Sequence, residues 1–359
     1  MRWLRALGCG LLMASAGSAA PLVSYSFENG LATWDKVGNG APLTAQTKVA
    51  HEGSALEAKY TIDAQNPVGG AGVLVAPRLA EAKSVRFQLR TSAPVVIAVA
   101  FKENDGSQYQ SLLTSPADTW SDVDLSLDRF RLSPNTKDEN GMLDLDQVNW
   151  VGVMDVTKVM PQIKVPDGER TLWLDDFSID SERALTAYSP DGQLPFVLDN
   201  FAGGFVPWVA FDGAVTLDKQ DGALQWQYQG DKPEGTSNYI FSTLGPLPTK
   251  GPTHLLVTLS ATRATQLFIV LQEEARDGRD ESRYSTVIGV PASPEFKTYT
   301  LPLKEFRLVT GDNGNDDNNR LDLDQVGSLV IGDLEVLNGQ QPGPNKVFID
   351  EIQLFAAKN

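Results

Sequence analysis

The chain has 359 residues, with 46 acidic against 30 basic side chains and a formal net charge of −16. An excess of that sign repels nucleic acid and anionic membrane surfaces, and leaves neutral partners and divalent cations as the compatible classes. A single cysteine, Cys9, and two histidines, His51 and His254, leave little material for thiol, disulfide or histidine–metal chemistry.

The first predicted element is a targeting segment. Met1-Arg2-Trp3-Leu4-Arg5 is charged, residues 6–16 are apolar, and Gly17-Ser18-Ala19-Ala20 is small. That order reads as a secretory signal peptide over residues 1–20, cut before Pro21 and too short to span a bilayer. Ala6-Leu7-Gly8-Cys9 loosely resembles a lipoprotein box, but most of the apolar stretch follows Cys9, which favours simple cleavage. Cleavage removes the cysteine together with Arg2 and Arg5, and takes the net charge from −16 to −18. No later stretch is long and apolar enough for a membrane-spanning helix. The expectation is a secreted protein without membrane insertion: periplasmic, cell-surface or extracellular.

The rest of the chain repeats itself. Phe27 and Trp34 recur as Phe201 and Trp208, and Ala55-Leu56 with Tyr60 recurs as Ala223-Leu224 with Tyr228. The alternating set Trp120, Val123, Leu125, Leu127 matches Phe296, Tyr299, Leu301, Leu303. Phe130-Arg131-Leu132 returns as Phe306-Arg307-Leu308, and Asp144-Leu145-Asp146-Gln147-Val148 as Asp322-Leu323-Asp324-Gln325-Val326. Each copy closes on a similar strand, residues 172–179 and 347–354. The order of anchors is shared and the offset drifts only between 168 and 178 residues, which indicates duplication of a whole domain with loop insertions. The predicted organisation is a first domain at 21–182, a linker at 183–195 and a second domain at 196–359.

Both copies read as β. Residues 95–101 and 266–271 are short runs rich in β-branched side chains, punctuated by Gly and Pro, and no long stretch carries a 3.6-residue apolar period. The fold class expected is all-β, two tandem β-sandwiches of jelly-roll type.

Phe27-Glu28-Asn29-Gly30 followed by Trp34, Phe130-Arg131, residues 143–148 and Trp173-Leu174-Asp175-Asp176-Phe177 together resemble galactose-binding-like jelly-roll domains. The second copy offers Phe201, Trp208, Phe306-Arg307, residues 321–326 and Phe348-Ile349-Asp350-Glu351-Ile352. The nearest likeness is to carbohydrate-binding modules of family eleven and to the complex I intermediate-associated protein domain. That resemblance implies a sugar-binding concave face in several branches and a structural calcium ion.

Metal candidates follow from the terminal strands. Strict alternation would place Asp175 with Trp173, Phe177 and Ile179, and Asp350 with Phe348, Ile352 and Leu354. A carboxylate on an apolar face needs a metal or hydrogen-bond donors. Glu28 and Asp199 are the first-strand candidates, although Ala202 stands opposite Glu28 in the repeat and Tyr25 opposite Asp199. The Asn- and Asp-rich stretch 311–319 reads as a turn lacking a complete calcium loop.

For sugar, the non-core face of the sheets is decisive. Val95, Ile97, Val99 and Phe101 read as core-facing, leaving Lys102 outward; in the second copy Gln272 and Glu274 take that side. Tyr109 and Tyr284 are expected to line the same groove. Trp150 corresponds to Ser328 and lies off the face of Val151 and Val153, so the shared core does not require it. Trp34 and Trp208 recur and read as core.

Nucleophile elbows and phosphate loops are absent from the sequence. A paired-carboxylate hydrolase or lyase needs only two acids, and none of the 46 is singled out. The leading expectation is a non-catalytic binder of polysaccharide or glycan with structural calcium. The alternative is a cell-envelope assembly protein that uses the same fold to hold another protein.

Overall fold

The computed structural model describes residues 20–76, 79–160, 163, 166–184, 193–211, 216–231, 238–274, 281–309, 316, 318–340 and 342–357. The signal-peptide reading and most of the predicted linker and of the 311–319 turn lie outside them.

In the first copy the strands run β1 (Val23–Tyr25), β2 (Trp34–Gly38), β3 (Thr44–Gln46), β4 (Ala55–Ile62), β5 (Gly69–Leu74) and β6 (Ser84–Thr91). They continue as β7 (Val95–Glu103), β8 (Gln108–Ser115), β9 (Ser121–Ser126), β10 (Arg131–Leu132), β11 (Val148–Asp155) and β12 (Gly168–Asp180). The second copy runs β13 (Phe196–Asp199), β14 (Val209–Ala210), β15 (Thr216–Gln220), β16 (Ala223–Tyr228), β17 (Tyr239–Thr243) and β18 (His254–Ala261). It ends with β19 (Thr265–Glu273), β20 (Ser282–Val290), β21 (Ser293–Pro302), β22 (Arg307–Leu308), β23 (Val326–Asp333) and β24 (Asn345–Phe355).

These strands form four six-stranded antiparallel sheets, two per copy. The first copy has β3-β4-β12-β6-β9, with β1 also on β12, facing β10-β8-β7-β11-β5-β2. The second has β15-β16-β24-β18-β21, with β13 on β24, facing β14-β17-β23-β19-β20-β22. The fold is therefore all-β, two tandem sandwiches. Each has its own core of alternate inward side chains. Leu56, Ile97, Phe101, Val151, Leu174 and Phe177 belong to one core. Trp226, Tyr228, Ile269, Leu329, Ile349 and Ile352 belong to the other. Trp34 and Trp208 are buried, as their recurrence predicts.

The repeat extends to a buried polar centre. Asp155, at the end of β11, accepts the Arg170 guanidinium (2.8 Å), the Tyr60 hydroxyl (3.3 Å) and both the amide and the hydroxyl of Thr157. Its counterpart Asp333 accepts Tyr228, Thr265 and Arg263. The tyrosine is inherited in register, whereas the arginine comes from β12 in one copy and from the β18–β19 turn in the other.

The two copies pack directly on each other. Phe205 joins the first core. The Thr114 amide and hydroxyl donate to the carbonyls of Val206 and Trp208. Arg129, 3% exposed, reaches across to the Ser242 hydroxyl (2.7 Å) and the Thr243 carbonyl (2.9 Å). A third apolar cluster combines Val96, Ala98, Ala100 and Met154 with Val209, and Phe241 packs against it.

Candidate functional site

The outer face of β10-β8-β7-β11-β5-β2 carries the first site. Across it the register sets Asp35, Gly72, Gly152, Ala100 and Gln110 in one row, and Leu74, Trp150, Lys102 and Gln108 in the next. Trp150 leans from its own row over the first. A Cβ built on Gly72 would lie 2.4 Å from the indole, and one on Gly152 would lie 2.1 Å from it. Two side-chain-free positions therefore let the indole lie against the backbone, half-buried, packed on one side against the apolar cluster that joins the two copies and with exposed Lys102 beside it. An aromatic plate with an amine beside it, and a carboxylate and amides in the same two rows of the sheet, suits a ligand with an apolar face and polar edges.

No family model matches this chain, and no curated protein matches it. Among solved structures it is similar to the family 11 carbohydrate-binding module from Clostridium thermocellum in complex with a β-1,3-1,4-mixed-linked tetrasaccharide. That match has 16% identity and a TM-score of 0.36, covering 46% of this chain and 99% of that one. It is also similar to the CBM22-1–CBM22-2 tandem domain of Paenibacillus barcinonensis Xyn10C, at 15% identity and TM-score 0.32, over 96% of this chain and 100% of that one. A third likeness is to the agarase AgWH50C, at 11% identity and TM-score 0.34, over 45% of this chain and 26% of that one. The functional reading rests on this chain's own side chains.

Of the predicted sugar residues, Trp150 and Lys102 come together as described. Gln272 lies on the outer face of β19 and donates its amide to Glu281 (2.8 Å). Glu274 is exposed and pairs across the copies with Arg131 at 2.6 Å. Tyr109 and Tyr284 do not line a groove: each is 2% exposed, inside its core, because it shares the inward side of its strand with the apolar residues. Only their hydroxyls reach outward, to Asp138 (2.5 Å) and Asp316 respectively.

The terminal-strand metal reading is corrected by two β-bulges. In β12 the register slips between Asp175 and Ser178, with Asp176 at φ 46°. The core-facing series is thus Leu172, Leu174, Phe177, Ile179, and Trp173 points outward beneath Arg90. Asp175 is buried, but its oxygens accept the amides of His51, Glu52 and Asp176, and burial pushes its carboxyl up. In β24 Asp350 is the extra residue between Ile349 and Glu351; it is exposed rather than core-facing. Glu28 is exposed and accepts the Ser54 amide. Asp199 accepts the Phe201 amide and the Trp208 indole N–H, and burial raises its carboxyl. Asp175, Glu28 and Asp199 thus have protein donors, Asp350 faces solvent, and none of the four belongs to a metal-sized cluster among the described residues.

Sequence reasoning missed the cluster that does have metal spacing. The carboxylates of Glu103, Asp105 and Asp138 offer oxygens within 4.8 Å of one another and could hold a metal ion. Glu103 ends β7 in a buried position, where it accepts the Ser107 hydroxyl and the Asp144 amide; burial raises its carboxyl, with Asp138 and Asp144 adding repulsion. Glu273 repeats the position, accepting the Asp322 amide, with its carboxyl raised to about 7 by burial and by neighbouring aspartates. The available signal was the repeat itself: Glu103 and Glu273 precede Tyr109 and Tyr284 at the ends of matching strands.

Proposed function

We propose that this protein is a secreted, non-catalytic binder of neutral glycans, and that the Trp150 face is its principal contact surface. The observation that carries the reading is the indole laid over Gly72 and Gly152 beside Lys102. The C–H face of a pyranose is weakly electropositive and stacks on the negative face of an aromatic ring, while its hydroxyls bond to the amine, carboxylate and amides around it. A planar ring presented from a rigid sheet lowers the ordering cost of binding.

Calcium is the ion proposed for Glu103, Asp105 and Asp138, because three hard carboxylate oxygens match its ligand preference. There it would neutralise the crowded negative charge and fix the β7–β8 turn. A melt of the mature chain with calcium and with chelator reads this out, since an ion bound only by the folded state raises Tm.

Calorimetric titration with cellotetraose, laminaritetraose, xylotetraose and chitotetraose tests the main reading. Binding to at least one of them is expected, and Trp150→Ala should weaken it tenfold or more. Failure of all four to bind overturns the proposal.

The second copy favours a different reading for its own face. Phe211 stacks on Tyr239 at 4.5 Å, Phe268 lies over Gly332, and Val287 is 49% exposed. This apolar row suits a partner protein of the cell envelope. A complex that survives in wild type and dissociates in Val287→Asp would support it.

A further inference from the structure

The opposite sheet of the second copy carries a separate groove, of about 540 Å³, on the outer side of β16, β24, β18 and β21. Phe348 and Phe296 form its walls, with Phe296 46% exposed, and Ser260, Ala261 and Ser293 line it between them. It adjoins a cavity of about 270 Å³ that shares Ser260, Ser293 and Phe296. That cavity is lined by Tyr299, whose side chain is nine-tenths buried and whose hydroxyl has no hydrogen-bond partner among the described residues.

The duplication shows what keeps this groove open. In the first copy Trp173 pairs with Arg90, as Phe348 pairs with Ser260 in the second. The bridges Thr91–Ala117 and Ala261–Ala292 bring Asp118 and Ser293 to equivalent places. Arg90 lies over the Trp173 ring at 5.6 Å and pairs with Asp118 at 3.2 Å, so the first copy is plugged by its own guanidinium. Replacing Arg90 by Ser260 and Asp118 by Ser293 removes both charges, the long side chain and the ion pair, while an aromatic wall remains. What is left is an aromatic slot with serine hydroxyls and the Asp221 carboxylate, of a size within the usual range for small-molecule clefts, about 300–1,000 Å³.

We propose that this groove is a second binding site, for an uncharged pyranose of a glycan chain, with the ring held between Phe296 and Phe348 and its hydroxyls on Ser260, Ser293 and Asp221. The groove's own lining keeps one carboxylate, Asp221, and no cation, so it disfavours an anionic ligand and offers an acceptor to the hydroxyls of a neutral one. The inference rests on the glycan reading above, but on a different sheet and different residues.

The full mature chain is titrated with the same four tetrasaccharides. Two equivalents bind wild type. Ser260→Arg restores the plug of the first copy and removes one equivalent, and Phe296→Ala, at an exposed position, weakens that same equivalent about tenfold. Trp150→Ala removes the other. If Ser260→Arg and Phe296→Ala both leave stoichiometry and affinity unchanged while Trp150→Ala abolishes binding, the groove is not a site and the glycan reading stands. If no tetrasaccharide binds wild type, both fall.

Discussion

The buried Asp155–Arg170 pair gives the sharpest test of how this fold is held. Asp155 is fully buried and Arg170 6% exposed, at 2.8 Å. Removing one partner of a buried pair strands a charge and costs about 3–5 kcal/mol. Arg170→Ala leaves Asp155 with the Tyr60 hydroxyl and two donors from Thr157, which places it at the lower end, about 3 kcal/mol. In the second copy the Arg263 side chain is 23% exposed, so water compensates part of the loss and Arg263→Ala should cost about 1–2 kcal/mol. For a domain of this size each kcal/mol moves Tm by roughly 2–4 °C, so Arg170→Ala should lower the first domain's transition by about 6–12 °C in scanning calorimetry. Adding Asp155→Asn removes the stranded charge and should recover part of that loss, giving a favourable coupling in the double-mutant cycle. A cost below about 1 kcal/mol for Arg170→Ala, or a larger cost for Arg263→Ala, refutes the reasoning, because burial would then not set the penalty.

Glu273 makes stability depend on pH. Its carboxyl is at about 7 in the fold against an ordinary 4.5, so the folded state holds the proton more tightly. Stability should therefore fall as pH rises from about 4.5 to 7, by at most about 3 kcal/mol, and Glu273→Gln should flatten that part of the urea-midpoint profile. An unchanged slope in the variant would mean the glutamate titrates normally. Gly152→Leu should displace the Trp150 indole, altering near-ultraviolet circular dichroism and glycan affinity while the melting transition moves little; unchanged aromatic spectra would contradict the placement. Arg129→Ala breaks the bonds to Ser242 and Thr243, and should speed amide exchange in β17 and uncouple the two unfolding transitions. Unaltered exchange there would show that the apolar contacts alone join the copies.

The sequence made the duplication, the β class and the inward-facing runs legible, because apolar alternation along strands such as β7 and β19 is a local signal. It also set Trp150 apart from the first core, since a large aromatic missing from the second copy at Ser328 is not demanded by the common core. What it misplaced depends on backbone irregularity. A bulge changes which face every later residue takes, and neither Asp175-Asp176 nor Asp350-Glu351 announces one in a pattern of alternating side chains. Tyr109 and Tyr284 were misassigned for another reason: a tyrosine can bury its ring and export only its hydroxyl, and sequence does not say which end faces water. The Glu103 cluster joins residues from β7, its turn and the segment before β11, a juxtaposition created by folding alone.

The two copies diverge where the scaffold allows it. Most inward positions exchange one apolar residue for another, and the aspartate–tyrosine pair at Asp155 and Asp333 is retained even though its arginine was supplied anew from a turn. That replacement argues that the buried carboxylate is the constraint and the cation the response: once the aspartate and tyrosine are fixed, any guanidinium that can reach Oδ2 satisfies them. The outward positions carry no such debt. Arg90 faces Ser260 across the repeat, Trp150 faces Ser328, and each exchange alters a surface without opening a cavity in a core. A surface that one copy seals with its own arginine and the other leaves walled by phenylalanines differs in what it can hold, not in how it folds. Ser260→Arg should accordingly leave the melting temperature near wild type while closing the groove, and a large loss of stability in that variant would show that the two sheets are less equivalent than their register implies.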